Sequence, residues 1–248
     1  MPAVHDEGIC IRHWDFSETS QTVSLFGRER GLVRGLAKGS KRERGAFDGG
    51  IDLLSRGEFG AILKPGKDLA TLTEWGLLEM FPRLRTDLAA NRAAFLMADL
   101  VGRMLQPEDP HPALYDRMVV ALRTLGAARA PDEPAPDGAL ALLAFQWELL
   151  RETGYRPAIE VDPATEVADF SPEAGGVVPR GDPTGGPRWR VRRGTLDCLV
   201  AVDAGQPSVG DAESIARANR LLAAYLRHVL GTEPPTMRLV FGGSPMHA

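Results

Sequence analysis

Gly35, Gly39, Ser40 and Lys41 are residue types from which phosphate-binding loops are made, and they fall close together. Their spacing is wrong for that use. Such a loop needs four residues between its glycines and then Lys followed by Ser or Thr, so that the backbone amides curl around the phosphates. Here three residues intervene and the serine precedes the lysine. The histidines (His5, His13, His111, His228 and His247) show no HExxH or other ligand spacing, and nothing elsewhere repeats the trio His13, Asp15 and Glu18. No serine stands in a nucleophile elbow. Cys10 and Cys198 read as small buried hydrophobes, and two cysteines cannot build a four-cysteine zinc site or a dense disulfide framework. The residues offer no catalytic constellation. A hydrolase using unrecognised carboxylates would show itself by metal-dependent turnover of a nucleic acid.

Charge is more informative. With 29 basic against 33 acidic residues the formal net charge is −4, which excludes a uniformly basic nucleic-acid coat but not a local basic patch. Between Arg28 and Arg44 the cations are Arg28, Arg30, Arg34, Lys38, Lys41, Arg42 and Arg44, opposed only by Glu29 and Glu43. Arg34 and Lys38 share strand parity and so project from one face. Lys41, Arg42 and Arg44 then occupy a glycine-bounded loop that ends near Phe47. Such cations neutralise phosphates and release counterions, while an aromatic side chain stacks on a base. A solvated loop beside a barrel is the competing reading, and Phe47 is either the stacking residue or the first core residue after the loop. A second cluster, Arg188-Trp189-Arg190-Val191-Arg192-Arg193, alternates apolar and charged residues and reads as a strand with one charged face rather than a second nucleic-acid contact.

The elements that must position these residues come in two kinds. Short strands with glycine-rich joints are expected at Ile9–His13, Thr19–Phe26, Leu32–Lys38, Glu58–Lys64 and Leu69–Trp75, the last two forming a hairpin around Pro65-Gly66-Lys67-Asp68. Five of them within about 80 residues suggest a small antiparallel barrel or sandwich. From Thr86 the period becomes helical, with Leu88, Phe95, Leu96, Leu100 and Leu105 on one stripe. Helices follow over about 113–128 and 139–153, separated by proline-rich loops. Residues 157–187 are rich in Pro, Gly and acidic residues around a hairpin-like excursion at Phe170–Val178. A last amphipathic helix covers about 211–230 and ends at a cap glycine, Gly231. The composition, 44% hydrophobic and 25% charged, is that of a globular chain rather than a disordered one. MPAVHDEGIC lacks a charged segment followed by an apolar core, so no secretory leader is expected. The longest apolar run, Ala139–Phe145, is too short to cross a bilayer. A cytoplasmic location follows as an expectation.

Several segments, in order, carry a resemblance. Gly8-Ile9-Cys10-Ile11-Arg12, Phe16-Ser17-Glu18-Thr19-Ser20, Val23-Ser24-Leu25-Phe26-Gly27 and Gly31-Leu32-Val33-Arg34-Gly35-Leu36-Ala37-Lys38-Gly39 resemble the opening of the bacterial DNA repair protein RecO family. Leu149–Pro157, Phe170–Gly176 and Arg220–Leu226 followed by Gly231 are similar to its later signatures. The resemblance implies an α+β protein. Residues 1–80 would form an OB-fold, a five-stranded β-barrel that binds nucleic acid. Residues 81–248 would form a helical domain, with a zinc-ribbon-like hairpin insertion at about 157–193. It implies a non-enzymatic protein with no cofactor that binds single- and double-stranded DNA and anneals complementary strands. Its implied partners are RecR and the acidic, hydrophobic C-terminal tail of single-strand-binding protein, with RecF and RecA as indirect partners and no membrane. Arg28, Arg30, Arg34, Lys38, Lys41, Arg42, Arg44 and Phe47 would be the DNA-binding residues, in a cytoplasmic, nucleoid-associated protein. One departure matters: where family members carry cysteine pairs for zinc, this chain reads Val161-Asp162-Pro163-Ala164-Thr165 and Val177-Val178-Pro179-Arg180-Gly181-Asp182. A site without thiolates is not expected to hold structural zinc. The alternative function is a protein–protein adaptor between RecR and single-strand-binding protein. It would need a groove joining arginine to apolar residues, with Arg83, Arg85, Arg92 and Arg103 as candidates.

Overall fold

The computed structural model describes residues 3–42, 45–47, 49–63, 66–127, 137–179, 181, 186–206 and 210–242. The contacts divide the chain into two compact units, Met1–Pro134 and Ala135–Ala248.

The first unit begins with strands β1 (Val4–Asp15), β2 (Gln21–Gly27), β3 (Gly31–Ala37), β4 (Arg56–Ile62) and β5 (Ala70–Glu79). They close in the order β1-β2-β3-β5-β4, with β4 returning to β1 and β3 running parallel to β5. This is the OB-fold barrel. The first strand is longer than the alternation at Ile9–His13 implies, because it serves two neighbours: Val4–Ile9 pair with β4, and Gly8–Asp15 pair with β2. A register shift between Cys10 and Arg12 bends it from one partner to the other. The interior is filled by Cys10, Val23, Leu25, Val33, Phe59, Leu72 and Trp75 with their neighbours, and burial pushes the Cys10 thiol up to about 12. Both cysteines are buried and neither is in a disulfide.

A short 3-10 turn, Pro82–Arg85, leads to helices α1 (Leu88–Met104) and α2 (Pro112–Gly126). Asp87 starts α1 by accepting the Ala89 and Ala90 amides at 3.0 Å. The apolar stripe differs from the expected one: Leu88 is exposed, and small Ala90, Ala93, Ala94 and Ala98 join Leu96, Met97, Leu100 and Val101 in the buried face. The barrel is covered on one side by α2. Tyr115 meets Phe26 edge-on at 5.6 Å, and Asp116 takes the Arg28 guanidinium through two 2.9 Å hydrogen bonds. The β2–β3 turn touches the α1–α2 connection through Gly31. Its φ of +64° favours glycine, and a Cβ there would lie 2.2 Å from the Asp109 carbonyl oxygen.

Glu79 at the end of β5 accepts from Arg123 of α2 at 2.9 Å and from Arg56 of β4 at 3.2 Å, and the Arg123 bond foremost holds its carboxyl below the ordinary range. A carboxylate with a lowered folded pKa stabilises the fold above its unfolded value, roughly 4.3. It loses that contribution as pH falls through the lower folded value. Acidification from pH 6 to 3 should therefore lower the unfolding free energy of the wild type, read from urea titration, more than that of Arg123→Ala, by a margin of under about 1 kcal/mol given the exposure of the pair. Equal losses would show that the ion pair does not stabilise the fold.

The second unit contains α3 (Gly138–Glu152), β6 (Val167–Ser171), β7 (Gly176–Val178), β8 (Trp189–Arg192), α4 (Arg193–Asp203), α5 (Ala212–Leu230) and α6 (Pro235–Phe241). The alternating basic cluster forms β8, as its pattern predicts. The excursion is more than a hairpin: β6 pairs with β7 on one side and with β8 on the other. Aromatic packing holds this sheet, with Trp189 stacked on Phe170 at 5.7 Å and Phe170 edge-on to Tyr225 of α5 at 5.5 Å. Helices α4 and α6 were not expected, since α4 follows β8 with no side-chain cap and α6 spans under two turns. Gly231 caps α5 in the left-handed conformation.

Candidate nucleic-acid interface

The site lies on the outer face of β1–β3. Gly31, Val33, Gly35 and Ala37 of β3 point into the barrel, so Leu32, Arg34 and Leu36 point out. Pairing sets Arg34 opposite Ser24 and, through it, Arg12. One step along, Leu36 lies opposite Thr22 and, through it, Trp14. Two cross-strand rows result, one bearing Arg34 and Arg12, the latter held by Asp99 of α1 at 2.8 Å, and the next an indole. Lys38 continues the Arg34 side beyond the end of β3 and is exposed.

The loop after β3 is anchored at its base. Ser20 Oγ accepts the Gly39 amide at 3.1 Å, and the Lys41 amide donates to the Thr19 carbonyl at 3.1 Å. Buried Gln21 is the hub: its Oε1 accepts from Ser40 Oγ at 3.0 Å and from the Ile51 amide at 3.1 Å, while its Nε2 donates to the Ile51 carbonyl at 3.3 Å. These bonds tie the basic loop to the β1–β2 hairpin, whose tip carries two conspicuous aromatics. Trp14 is 48% exposed and Phe16 is 65% exposed. An exposed aromatic beside an anchored basic loop is the pairing that sequence-indifferent binding of single strands uses.

The sequence-derived candidates separate into groups. Arg30, Arg34, Lys38 and Arg42 are exposed, and no ion-pair partner for them appears among the described residues. Arg28 is committed to Asp116 and Glu29, and the Asp116 bond foremost holds its guanidinium more firmly protonated than usual. Lys41 Nζ sits 2.5 Å from Asp15, whose carboxyl is lowered mainly by that bond. Arg44 lies outside the described residues. Phe47 is 6% exposed and belongs to the barrel core, so it offers no face to a base while the barrel is closed. The exposed aromatics nearest the loop are instead Trp14 and Phe16. A signal for them existed in the sequence: each is flanked by polar residues just before the turn Ser17-Glu18-Thr19-Ser20, outside the basic run that drew attention.

A second feature of this unit is a cavity of about 210 Å3 between β1, the Asp52–Ser55 segment and α1, with Leu53, Met80, Leu84 and Phe95 among its lining and Arg85 at its margin. Arg85 pairs with Asp52 at 2.6 Å, both exposed. Of the other arginines considered for an acidic peptide, Arg83 is held by Asp87 at 2.5 Å and Arg103 by Asp99 at 2.9 Å. Among the described residues no group of three His, Cys, Asp or Glu side chains could hold a metal ion, and no helix is long and apolar enough to cross a membrane.

Residues 1–81 match the family described as Recombination protein O N terminal, and residues 85–238 match Recombination protein O C terminal. The chain belongs to the RecO family. Its relatives include proteins named DNA repair protein RecO from Anaeromyxobacter dehalogenans, 30% identical over 93% of each chain, and Rhodopirellula baltica, 34% identical over 68% of this chain and 63% of the relative. A Desulfitobacterium hafniense relative of the same name is 32% identical over 73% of this chain and 64% of its own length. Against the Rhodopirellula and Desulfitobacterium proteins the chain thus spans just under two thirds of the relative's length. The barrel of this RecO-family chain coincides with the first match, and the second begins at the 3-10 turn that follows it.

Proposed function

We propose that this RecO-family chain is a recombination mediator in DNA repair. It binds single- and double-stranded DNA on the outer face of the barrel and anneals complementary strands. Together with RecR it helps load RecA onto DNA coated by single-strand-binding protein. The observation that carries the reading is the set of exposed cations Arg34, Lys38 and Arg42, without an ion-pair partner among the described residues, beside the exposed rings of Trp14 and Phe16 on an OB barrel. Arg30, on the β2–β3 turn, extends the patch. Annealing needs no acid, base or bound metal. It needs two backbones screened enough to approach with their bases free to pair, which a basic, sequence-indifferent surface supplies. In this reading residues 1–80 are the nucleic-acid-binding domain, and the rest of the chain contacts the repair machinery, with RecF and RecA engaged indirectly. The protein works in the cytoplasm at the nucleoid, without enzymatic turnover or cofactor.

The purified chain should accelerate annealing of complementary labelled oligonucleotides at low salt, with the acceleration falling steeply as salt rises. No acceleration at low salt would overturn the annealing role. Trp14→Ala should weaken single-strand binding by about 1–3 kcal/mol if one base stacks there, and Trp14→Phe should restore most of it. An unchanged affinity in Trp14→Ala would remove the ring from the interface.

The adaptor reading has its own supporting observation, the Arg85 cavity. Its apolar lining and one weakly committed arginine suit the hydrophobic end and acidic residues of the single-strand-binding protein tail, whose carboxylates would replace Asp52. A tail peptide bound through this cavity should be lost in Arg85→Glu with oligonucleotide affinity intact. A chain that bound the peptide but no naked oligonucleotide at moderate salt would favour the adaptor.

A further inference from the structure

The second unit holds a basic groove for which the barrel reading has no use. Strand β8 is the edge of its sheet, bonded to β6 on one side only. Its other side borders a cavity of about 270 Å3 whose far wall is α5. The lining takes Arg190 and Arg192 from the strand and Arg217 and Arg220 from the helix, together with Trp189, Val191 and Leu221. Arg190 and Arg192 flank buried Val191 on β8, and Arg190 stands opposite Asp169 across the β6–β8 pair. Glu213 is the one carboxylate in the lining, and Arg217 already takes it one helical turn away. Arg190, Arg192 and Arg220 are exposed, and no ion-pair partner for them appears among the described residues.

Four arginines line this cavity against one carboxylate, an excess of positive charge that an anionic ligand would neutralise. All four are arginines, whose planar forks match phosphate oxygens in pairs, where lysine would supply only a point charge. The indole beside them provides a surface for a base. We propose that this groove binds the phosphodiester backbone of a single nucleic-acid strand, so that the chain carries one strand on the barrel and a second on the β8–α5 groove. The proposal rests on the reading of the barrel as a DNA-binding surface and gives annealing its second partner. Holding both strands on one molecule replaces a bimolecular encounter with a local search, which raises the effective concentration of the second strand. The same open edge could take an acidic peptide as an added strand. Arginine at all four basic positions of the lining favours the phosphodiester chain, whose oxygens match the guanidinium fork in pairs.

The test uses the full-length protein with Arg190→Glu/Arg192→Glu, with Arg220→Ala as a milder variant, and with Arg34→Glu/Lys38→Glu for the barrel. Circular dichroism establishes that each is folded. Labelled oligothymidylate is titrated for stoichiometry, and annealing is followed at low salt. Wild type should bind two short strands per chain. The groove variant should bind one, with the remaining affinity within about twofold of wild type, and should anneal at least tenfold more slowly. Arg220→Ala should fall between. Two strands per chain and wild-type annealing in the folded groove variant would overturn the proposal. So would a groove variant that loses only polyglutamate binding, which would make the occupant an acidic peptide. If wild type binds one strand and only the barrel variant abolishes it, the groove proposal falls and the barrel reading stands. If wild type binds none, the barrel reading itself fails.

Discussion

Replacing Arg34, Lys38 and Arg42 together by glutamate should lower affinity for a single-stranded oligonucleotide by about a hundredfold or more at low salt, equally for all sequences. The three cations are exposed, so their loss leaves no buried partner stranded and the fold intact. Each phosphate contact contributes about 0.7 to the slope of log affinity against log salt for a single strand. Removing three should therefore flatten the slope by about two. Reversal goes further than neutralisation, because three carboxylates then face the backbone. Arg28→Glu provides the contrast: its guanidinium is held by Asp116 and Glu29, so that substitution should disturb the junction of the barrel with α2 and leave the salt slope unchanged. Fluorescence anisotropy at four or five salt concentrations measures both quantities. A slope indifferent to the triple variant would separate the patch from binding.

Gln21→Leu should cost about 2–4 kcal/mol of stability, because it strands buried donors rather than only removing a contact. Ser40 Oγ and the Ile51 amide both lose their acceptor, while the Ile51 carbonyl retains His13 Nδ1 at 3.0 Å. The substitution keeps the residue's approximate volume, so the loss reports hydrogen bonding rather than a cavity. It also frees the basic loop from the hairpin. Lys38 and Arg42 would then lose conformational freedom on binding that they have already lost in the wild type, and affinity should fall several-fold at temperatures where the variant is folded. Urea unfolding and oligonucleotide titration of one preparation give both numbers. A variant as stable as wild type would show that Gln21 is not the hub.

Parts of this arrangement were legible in the sequence because they depend on local period. Arg34 and Lys38 share a face because β3 buries one side and not the other, and alternation records that directly. The same logic fell short on β2, where Ser24 and Phe26 are buried along with Val23 and Leu25. Phe26 is covered by Tyr115 of α2, a contact made across nearly ninety residues that no local pattern announces. Lys41 looked like a free cation within its run, and Asp15 neutralises it from another strand. Trp14 reaches the outer face of the barrel through the register shift in β1, which sets it opposite Thr22 rather than into the barrel. Helix α4 lacked both a side-chain cap and acidic residues in its first turn, so neither usual start signal was present. The alternation within Arg188–Arg193 predicts a strand, and β8 (Trp189–Arg192) forms there, whereas the cavity it shares with Arg217 and Arg220 of α5 depends on tertiary packing.

Ultraviolet crosslinking of oligothymidylate to the intact protein, followed by mass spectrometric mapping of the adducts, tests the barrel assignment most directly. Adducts are expected on Trp14 or Phe16 and on peptides spanning residues 30–42, and they should disappear when salt releases the strand. Crosslinks that leave residues 12–42 unmodified while the strand is bound would contradict the account.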